Sequence, residues 1–176
     1  RAIATLVQEA FPHATIRVRL DGGFAHPALL DWLDANALEY VVAMAENAVL
    51  TRLAEPLMAD VRPRVAATHT TAHVYGDTWY AAKSWPHARR VIIKAEVVAL
   101  DGREPRDNAR FVITSLRQTP RWVYEAVYCQ RGEIENRIKE LHHGLEIDRT
   151  SCTKFWANQL RVLLTAAAYV LLQELR

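Results

Sequence analysis

Residues Thr15 to Leu20 alternate, with Ile16, Val18 and Leu20 on one side, Arg17, Arg19 and then Asp21 on the other, before the run breaks at Gly22-Gly23. Alternation with period two is the pattern of a half-buried strand. Pro27 is well placed as a first helical residue, so a helix is expected to about Asn36 with Leu29, Leu30 and Leu33 as its apolar stripe. The unit reads strand, glycine turn, helix, with Asp21 at the C-terminal end of the strand. Tyr40 to Ala45 is a continuous apolar run short enough for a buried strand, and Ala48 to Asp60 follows as an amphipathic helix expected to end before Pro63. Such alternation predicts an α/β layer with parallel strands.

After Arg64 the texture changes to threonine, tyrosine, valine and tryptophan, with turn dipeptides at Gly76-Asp77 and Asp101-Gly102. Residues 70–115 therefore read as antiparallel strands, Val91 to Leu100 pairing with Arg110 to Leu116. The last third reads as helical, Tyr124 to His143 closed by Gly144, then Phe155 to Arg176. With 176 residues, 51% hydrophobic and 24% charged, the chain has the composition of one soluble globular domain. Its longest apolar run, Val162 to Leu172 broken only by Thr165, is shorter than the roughly 20 residues of a membrane span. Two cysteines, Cys129 and Cys152, make neither a disulfide framework nor a four-ligand zinc site, and no leader opens the chain, which leaves a reducing cytoplasm as the expected compartment. The first residue is Arg1, and Ala2 to Ala10 reads as the middle of an amphipathic helix, so a fragment of a longer protein is expected.

Charge is unevenly spread. Residues 1–60 hold 4 Lys/Arg against 8 Asp/Glu, residues 61–120 hold 10 against 5, and residues 121–176 hold 8 against 7. The basic excess gathers at Lys83, Arg89, Arg90 and Lys94, interleaved with Trp79, Tyr80 and Trp85, a mixture suited to phosphates and unstacked bases. An ordinary solvated basic surface reads the same way.

On a helix from Tyr124 to His143, Val127, Ile134, Ile138, Leu141 and Leu145 fall within about 60° and are expected to face a core. Tyr128, Arg131, Glu135, Lys139 and His142 fall within about 80°, beside that stripe. Glu135 would then project at the edge of a cleft, between Arg131 and Lys139, where a carboxylate could bind a metal while the cations hold phosphate oxygens. A ladder of i,i+4 ion pairs on a solvated face is the plainer alternative. Asp21, followed by two glycines, is the second candidate carboxylate, because glycine lets a metal or phosphate approach closely; turn capping is its alternative role. Two carboxylates from distant segments brought to one cleft suit Mg²⁺-dependent phosphoryl chemistry, which wants at least one more. His69 and His73 lack a third ligand, Cys129 lacks His and acid partners, and the stripe Phe155, Trp156, Leu160, Leu163 and Leu164 is expected to be core.

The runs Val18-Arg19-Leu20-Asp21-Gly22-Gly23-Phe24, Tyr128-Cys129-Gln130-Arg131-Gly132-Glu133-Ile134-Glu135-Asn136-Arg137-Ile138-Lys139-Glu140 and Asp148-Arg149-Thr150-Ser151 resemble DDE transposases of bacterial insertion sequences, of the DDE domain group 1 type. Tyr128, Arg131 and Glu135 match three positions of the Tyr-x2-Arg-x3-Glu-x6-Lys signature; the fourth falls on His142, with Lys139 one turn earlier as the alternative phosphate contact. The resemblance implies an RNase H-like catalytic α/β fold with a mostly antiparallel β insertion, here incomplete because its first strands are missing. Residues 1–63 and 121–176 would form the core and residues 64–120 the insertion. It further implies three acids binding two Mg²⁺, or Mn²⁺, with Asp21 second and Glu135 third, and the first acid on an earlier strand. The implied partners are DNA, both terminal inverted repeats and target, and a second copy in a homodimeric synaptic complex, in a nucleoid-associated bacterial cytoplasmic setting. Tyr128, Arg131, Lys139, Arg89, Arg90 and Lys94 would contact DNA, and Trp79, Trp85 and Trp122 are candidates to stack an extruded base.

Overall fold

A computed structural model of the chain describes residues 1–130 and 136–175. It divides into two compact units, Arg1–Cys129 and Gln130–Arg176. In the first, α1 (Ala2–Ala10) precedes β1 (Arg17–Leu20), a 3-10 turn at Gly22–Phe24, α2 (Pro27–Ala35), β2 (Glu39–Met44) and α3 (Ala48–Thr68). Then come β3 (Ala72–Tyr80), β4 (Arg89–Val98), β5 (Arg106–Asp107), β6 (Arg110–Thr114) and α4 (Pro120–Trp122), which runs on into a π-helical turn, Val123–Tyr128.

All six strands share one sheet, ordered β1-β2-β6-β4-β3 with β5 on β4. Among the described residues only β1 and β2 run parallel; every other pairing is antiparallel. The expected pairing of the strand from Val91 with that from Arg110 is present, Val91 opposite Ile113. The expected parallel layer is reduced to a single pair, because β2 turns its second edge to β6, Val42 opposite Ile113, instead of to a further crossover strand. The β-rich stretch of residues 64–120 thereby extends the sheet of residues 1–63.

One sheet face carries Val42, Val91, Ile93, Phe111 and Ile113 under Leu30 and Leu33 of α2 and a stripe of α3. Asn47 caps α3 by accepting the Val49 and Leu50 amides, both at 3.0 Å. Expected to stop before Pro63, α3 instead runs through Pro56 and Pro63. Both prolines are exposed, so the freed carbonyls can bond to water, while Val61 and Val65 continue the buried stripe of Leu50, Ala54 and Met58. That burial, at about 1.5 to 3 kcal/mol per large aliphatic side chain, outweighs a proline cost of roughly 3 kcal/mol. Leu57 of α3 packs over Gly76 of β3, where a Cβ would stand 2.6 Å from Leu57 Cδ1 and displace that side chain. The other face carries Val41, Ile92 and Val112 under Val123, Tyr124 and Val127 of the π turn.

The second unit contains helical residues 136–139 (α5), running into a π-helical turn at Glu140–Gly144, and α6 (Phe155–Glu174). Tyr169 of α6 donates to Glu140 Oε2 at 2.7 Å, and Asn158 closes the chain before the helix by bonding both the amide and the carbonyl of Cys152. The stripe expected to be core is exposed: Trp156 is 76% and Leu163 59% accessible, with Phe155, Leu160 and Leu164 similar. Ile138, also expected inside, is half accessible. The reason is geometric, since the half-buried positions of α6 are Asn158, Arg161, Val162, Thr165, Ala166, Tyr169 and Gln173, which place the polar residues inward and the leucines outward. By length and composition α6 is apolar enough to cross a membrane.

Candidate functional site

Parallel pairing of β1 and β2 sends both strands out of the sheet at the same edge, and there stands Asp21 in extended conformation (φ −83°, ψ 178°). Leu20 pairs with Val42, so Asp21 is level with Ala43 on the neighbouring strand. Its Oδ1 accepts the Gly23 amide at 3.1 Å, the turn-capping role open to any aspartate at such a place. A Cβ at residue 23 would lie 3.2 Å from that oxygen, so Gly23 gives the carboxylate room.

Ala43 also lines a cavity of about 250 Å³ shared by Met44, Glu46, Asn108, Arg110, Tyr124 and Tyr128. Tyr128 is half-buried, its ring centroid 5.2 Å from that of Tyr124. Burial pushes the Tyr124 hydroxyl far above its ordinary range, so it stays a neutral group. Glu46 accepts from Thr51 Oγ1 at 2.9 Å. Arg110 heads β6, is exposed, and makes no ion pair among the described residues. The cavity thus joins one cation, one carboxylate and two phenols beside the Asp21 strand end.

Arg131 and Glu135, two of the expected site residues, lie outside the described residues; in sequence the π turn Val123–Tyr128 of the first unit precedes them and the π turn Glu140–Gly144 of the second follows. π turns cost hydrogen-bond geometry and occur frequently at functional sites. In the second unit Lys139 is exposed on a cavity of about 570 Å³, and His142, at the signature's fourth place, has Nδ1 3.4 Å from Asp148.

Three of the expected DNA-binding cations, Arg89, Arg90 and Lys94, are engaged within the sheet unit. Arg89 lies on the α2 side of the sheet, its side chain 2% exposed, held by Asp31 at 2.6 Å and Asp34 at 2.7 Å, with its guanidinium 5.2 Å from the Trp85 ring. Burial pulls its ionisation down, but the two carboxylates more than restore it and keep it charged. Asp34 also accepts from Tyr40, whose hydroxyl is driven up by burial. Arg90 bonds Asp77 at 2.6 Å and the carbonyls of Leu116 and Gln118. Lys94 bonds Glu96 at 2.5 Å. Among the expected stacking residues Trp85 packs edge-on against Tyr80, Trp122 lies under Arg17 at 5.6 Å, and Trp79 is 71% exposed at the rim of a cavity of about 620 Å³ with Arg90 and Arg117. Trp79 stands four strands from β1, roughly 19 Å at about 4.8 Å per strand, so Trp79 and Asp21 occupy different regions.

Asp21 and Tyr128 are brought to one edge of the sheet; Arg89, Arg90 and Trp79 gather at the other. Sequence reasoning passed over Arg110 and Glu46, which flank the strand ends facing the cavity, and Arg19, assigned only to a strand's polar side. A signal was present for Arg19, which shares a strand side with Asp21 two residues on.

The model of the transposase DDE domain group 1 family matches residues 1–176. The chain belongs to that family. No curated protein matches it. As a transposase domain it has a role in moving DNA, within a family that uses divalent metal ions. The carboxylate of Asp21 is a hard oxygen donor of the kind Mg²⁺ takes, and it fits as one ligand of such an ion. Among the described residues no group of three His, Cys, Asp or Glu stands close enough to hold a metal.

Proposed function

We propose that this transposase domain supplies the second and third acids, Asp21 and Glu135, of a site that cuts DNA at insertion-sequence ends and joins the freed ends to a target. The observation that carries the reading is the carboxylate at the carboxyl end of the parallel strand pair, beside the cavity lined by Tyr128 and Arg110, in a chain matched along its whole length by the transposase family. Asp21 and Glu135 would hold Mg²⁺, which when bound supplies Lewis-acid stabilisation of charge on the reacting oxygens. Tyr128 and Arg131 hold and orient the phosphate at the cut, with Lys139 as a further contact. Water attacks phosphorus in line and releases a 3′-hydroxyl; that hydroxyl attacks a target phosphodiester, one phosphorus–oxygen bond forming as another breaks. No covalent protein intermediate is required. The protein works as a homodimer holding two ends, and Trp79, the most exposed of the three tryptophans, stacks an unpaired base.

The test uses the natural full-length protein with a plasmid carrying the element's ends. Asp21→Asn and Glu135→Gln each abolish cleavage while end binding in a gel shift persists; unchanged cleavage by Glu135→Gln would falsify the assignment. A second reading, a remnant that binds DNA or self-associates without turnover, is favoured by His142 standing where the family signature has its lysine. It predicts DNA binding with no product in either Mg²⁺ or Mn²⁺. Cleaved products never joined to target would instead indicate a nuclease.

A further inference from the structure

Arg19 stands on β1 two residues before Asp21, and therefore on the same side of the strand. That side is the one α4 and its π turn cover. Arg19 Nη1 donates to the carbonyl of Val127 at 2.8 Å, while its Nε is sealed from solvent with no partner among the described residues. A donor atom sealed from solvent and left unpaired is costly. An apolar side chain would fill that position at less cost, as Val41, its register partner on β2, does next to it. The position is poorly explained by packing alone.

The bonded carbonyl belongs to the π turn itself, in which the Cys129 amide reaches back five residues to Tyr124 O at 2.9 Å. A π turn holds one residue more than an α turn. If it relaxed to α winding, whatever continues the helix would rotate by about 100° and shift by about 1.5 Å. The Arg19 bond ties the Val127 carbonyl to β1 and so opposes a movement of that turn relative to the strand. Tyr128, next to Val127, lines the cavity beside the Asp21 strand end.

We propose that Arg19 is a positioning residue: its bond to Val127 O fixes the winding and rotational setting of the helix turn that presents Tyr128 against the strand that presents Asp21. This rests on reading the two as parts of one strand-cleaving site. The test compares Arg19→Met and Arg19→Lys with the wild type in the natural full-length protein. Single-turnover cleavage, end-DNA affinity, thermal midpoint and amide hydrogen exchange across residues 123–129 are measured. Arg19→Met cuts on the order of 10- to 100-fold more slowly, as when an orienting partner of a site residue is removed, with affinity within about twofold and a midpoint within a few degrees of the wild type. Arg19→Lys, which keeps a donor, recovers part of the rate. Wild-type cleavage by Arg19→Met overturns the proposal, as does a rate loss that follows lost affinity or lost folded protein. If the wild type itself does not cut, the functional reading fails and hydrogen exchange decides: faster exchange at the Cys129 amide in Arg19→Met upholds the link, and unchanged exchange overturns it.

Discussion

The sheet unit and the helical unit differ in where their apolar residues go. In Arg1–Cys129 the aliphatic side chains of both sheet faces are buried under α2, α3 and a π turn, with Leu50, Ile92 and Ile113 fully inaccessible. In Gln130–Arg176 no described residue is buried, and the leucines of α6 face outward. A 47-residue piece built of two helical segments has too little volume to enclose its own apolar surface. The sheet unit therefore holds its stability internally, and the helical unit contributes a surface. Substitutions in the two units should separate accordingly.

Ile93→Ala gives the largest effect. Ile93 is 1% exposed on β4, between Gly76 of β3 and Phe111 of β6 in register, under α3. Truncation there should cost about 2 to 5 kcal/mol, read as a shift of the denaturant midpoint with the slope unchanged. A cost below about 1 kcal/mol would mean that the sheet unit is not the stable half, and the contrast would fail.

Why one unit was legible and the other was not follows from the range of the interactions. The alternation of residues 15–21 and the stripe Leu29, Leu30, Leu33 are local patterns, and Leu30 and Leu33 are indeed in the core. Arg89 read as an exposed cation, open to DNA phosphate or to solvent, because its partners Asp34 and Asp31 lie 55 and 58 residues away, which no local pattern carries. Pro63 read as a stop because proline's cost is local, whereas the burial of Val65 that outweighs it depends on the sheet beneath. For α6 the apolar spacing was visible, but periodicity does not say whether a partner surface is present. At the site, Asp21 could be put at a strand end from its neighbours alone, while the nearness of Arg110 and Tyr128 depends on β6 joining β2.

Acid titration sharpens the comparison further, with a smaller effect. Burial pushes the Glu96 carboxyl up, but bonds from Lys94 at 2.5 Å and Asn108 at 2.6 Å outweigh it and hold the group below its ordinary range. A folded value below the unfolded one means stability that is full above the unfolded pKa, near 4.3, and is lost as pH falls through the folded value. Glu96→Gln should therefore lower the thermal midpoint at pH 7 and flatten its fall between about pH 5 and 3, by about 1 kcal/mol or less for a partly exposed pair. An unchanged acid limb would place the acid sensitivity of the sheet unit elsewhere.

The smallest expected effect is the most informative about α6. Leu163 and Leu171 are 59% and 66% accessible, so replacing both with serine removes little buried area. The unfolding free energy should move by no more than about 0.5 kcal/mol, while binding of a hydrophobic dye falls. That outcome would establish the outward leucines as a surface held open in solution. A loss above about 1 kcal/mol would mean that they are covered there. Repeating the melt at tenfold lower protein concentration then separates the possibilities, because cover by a second copy makes the midpoint fall with dilution and cover from within the same chain does not.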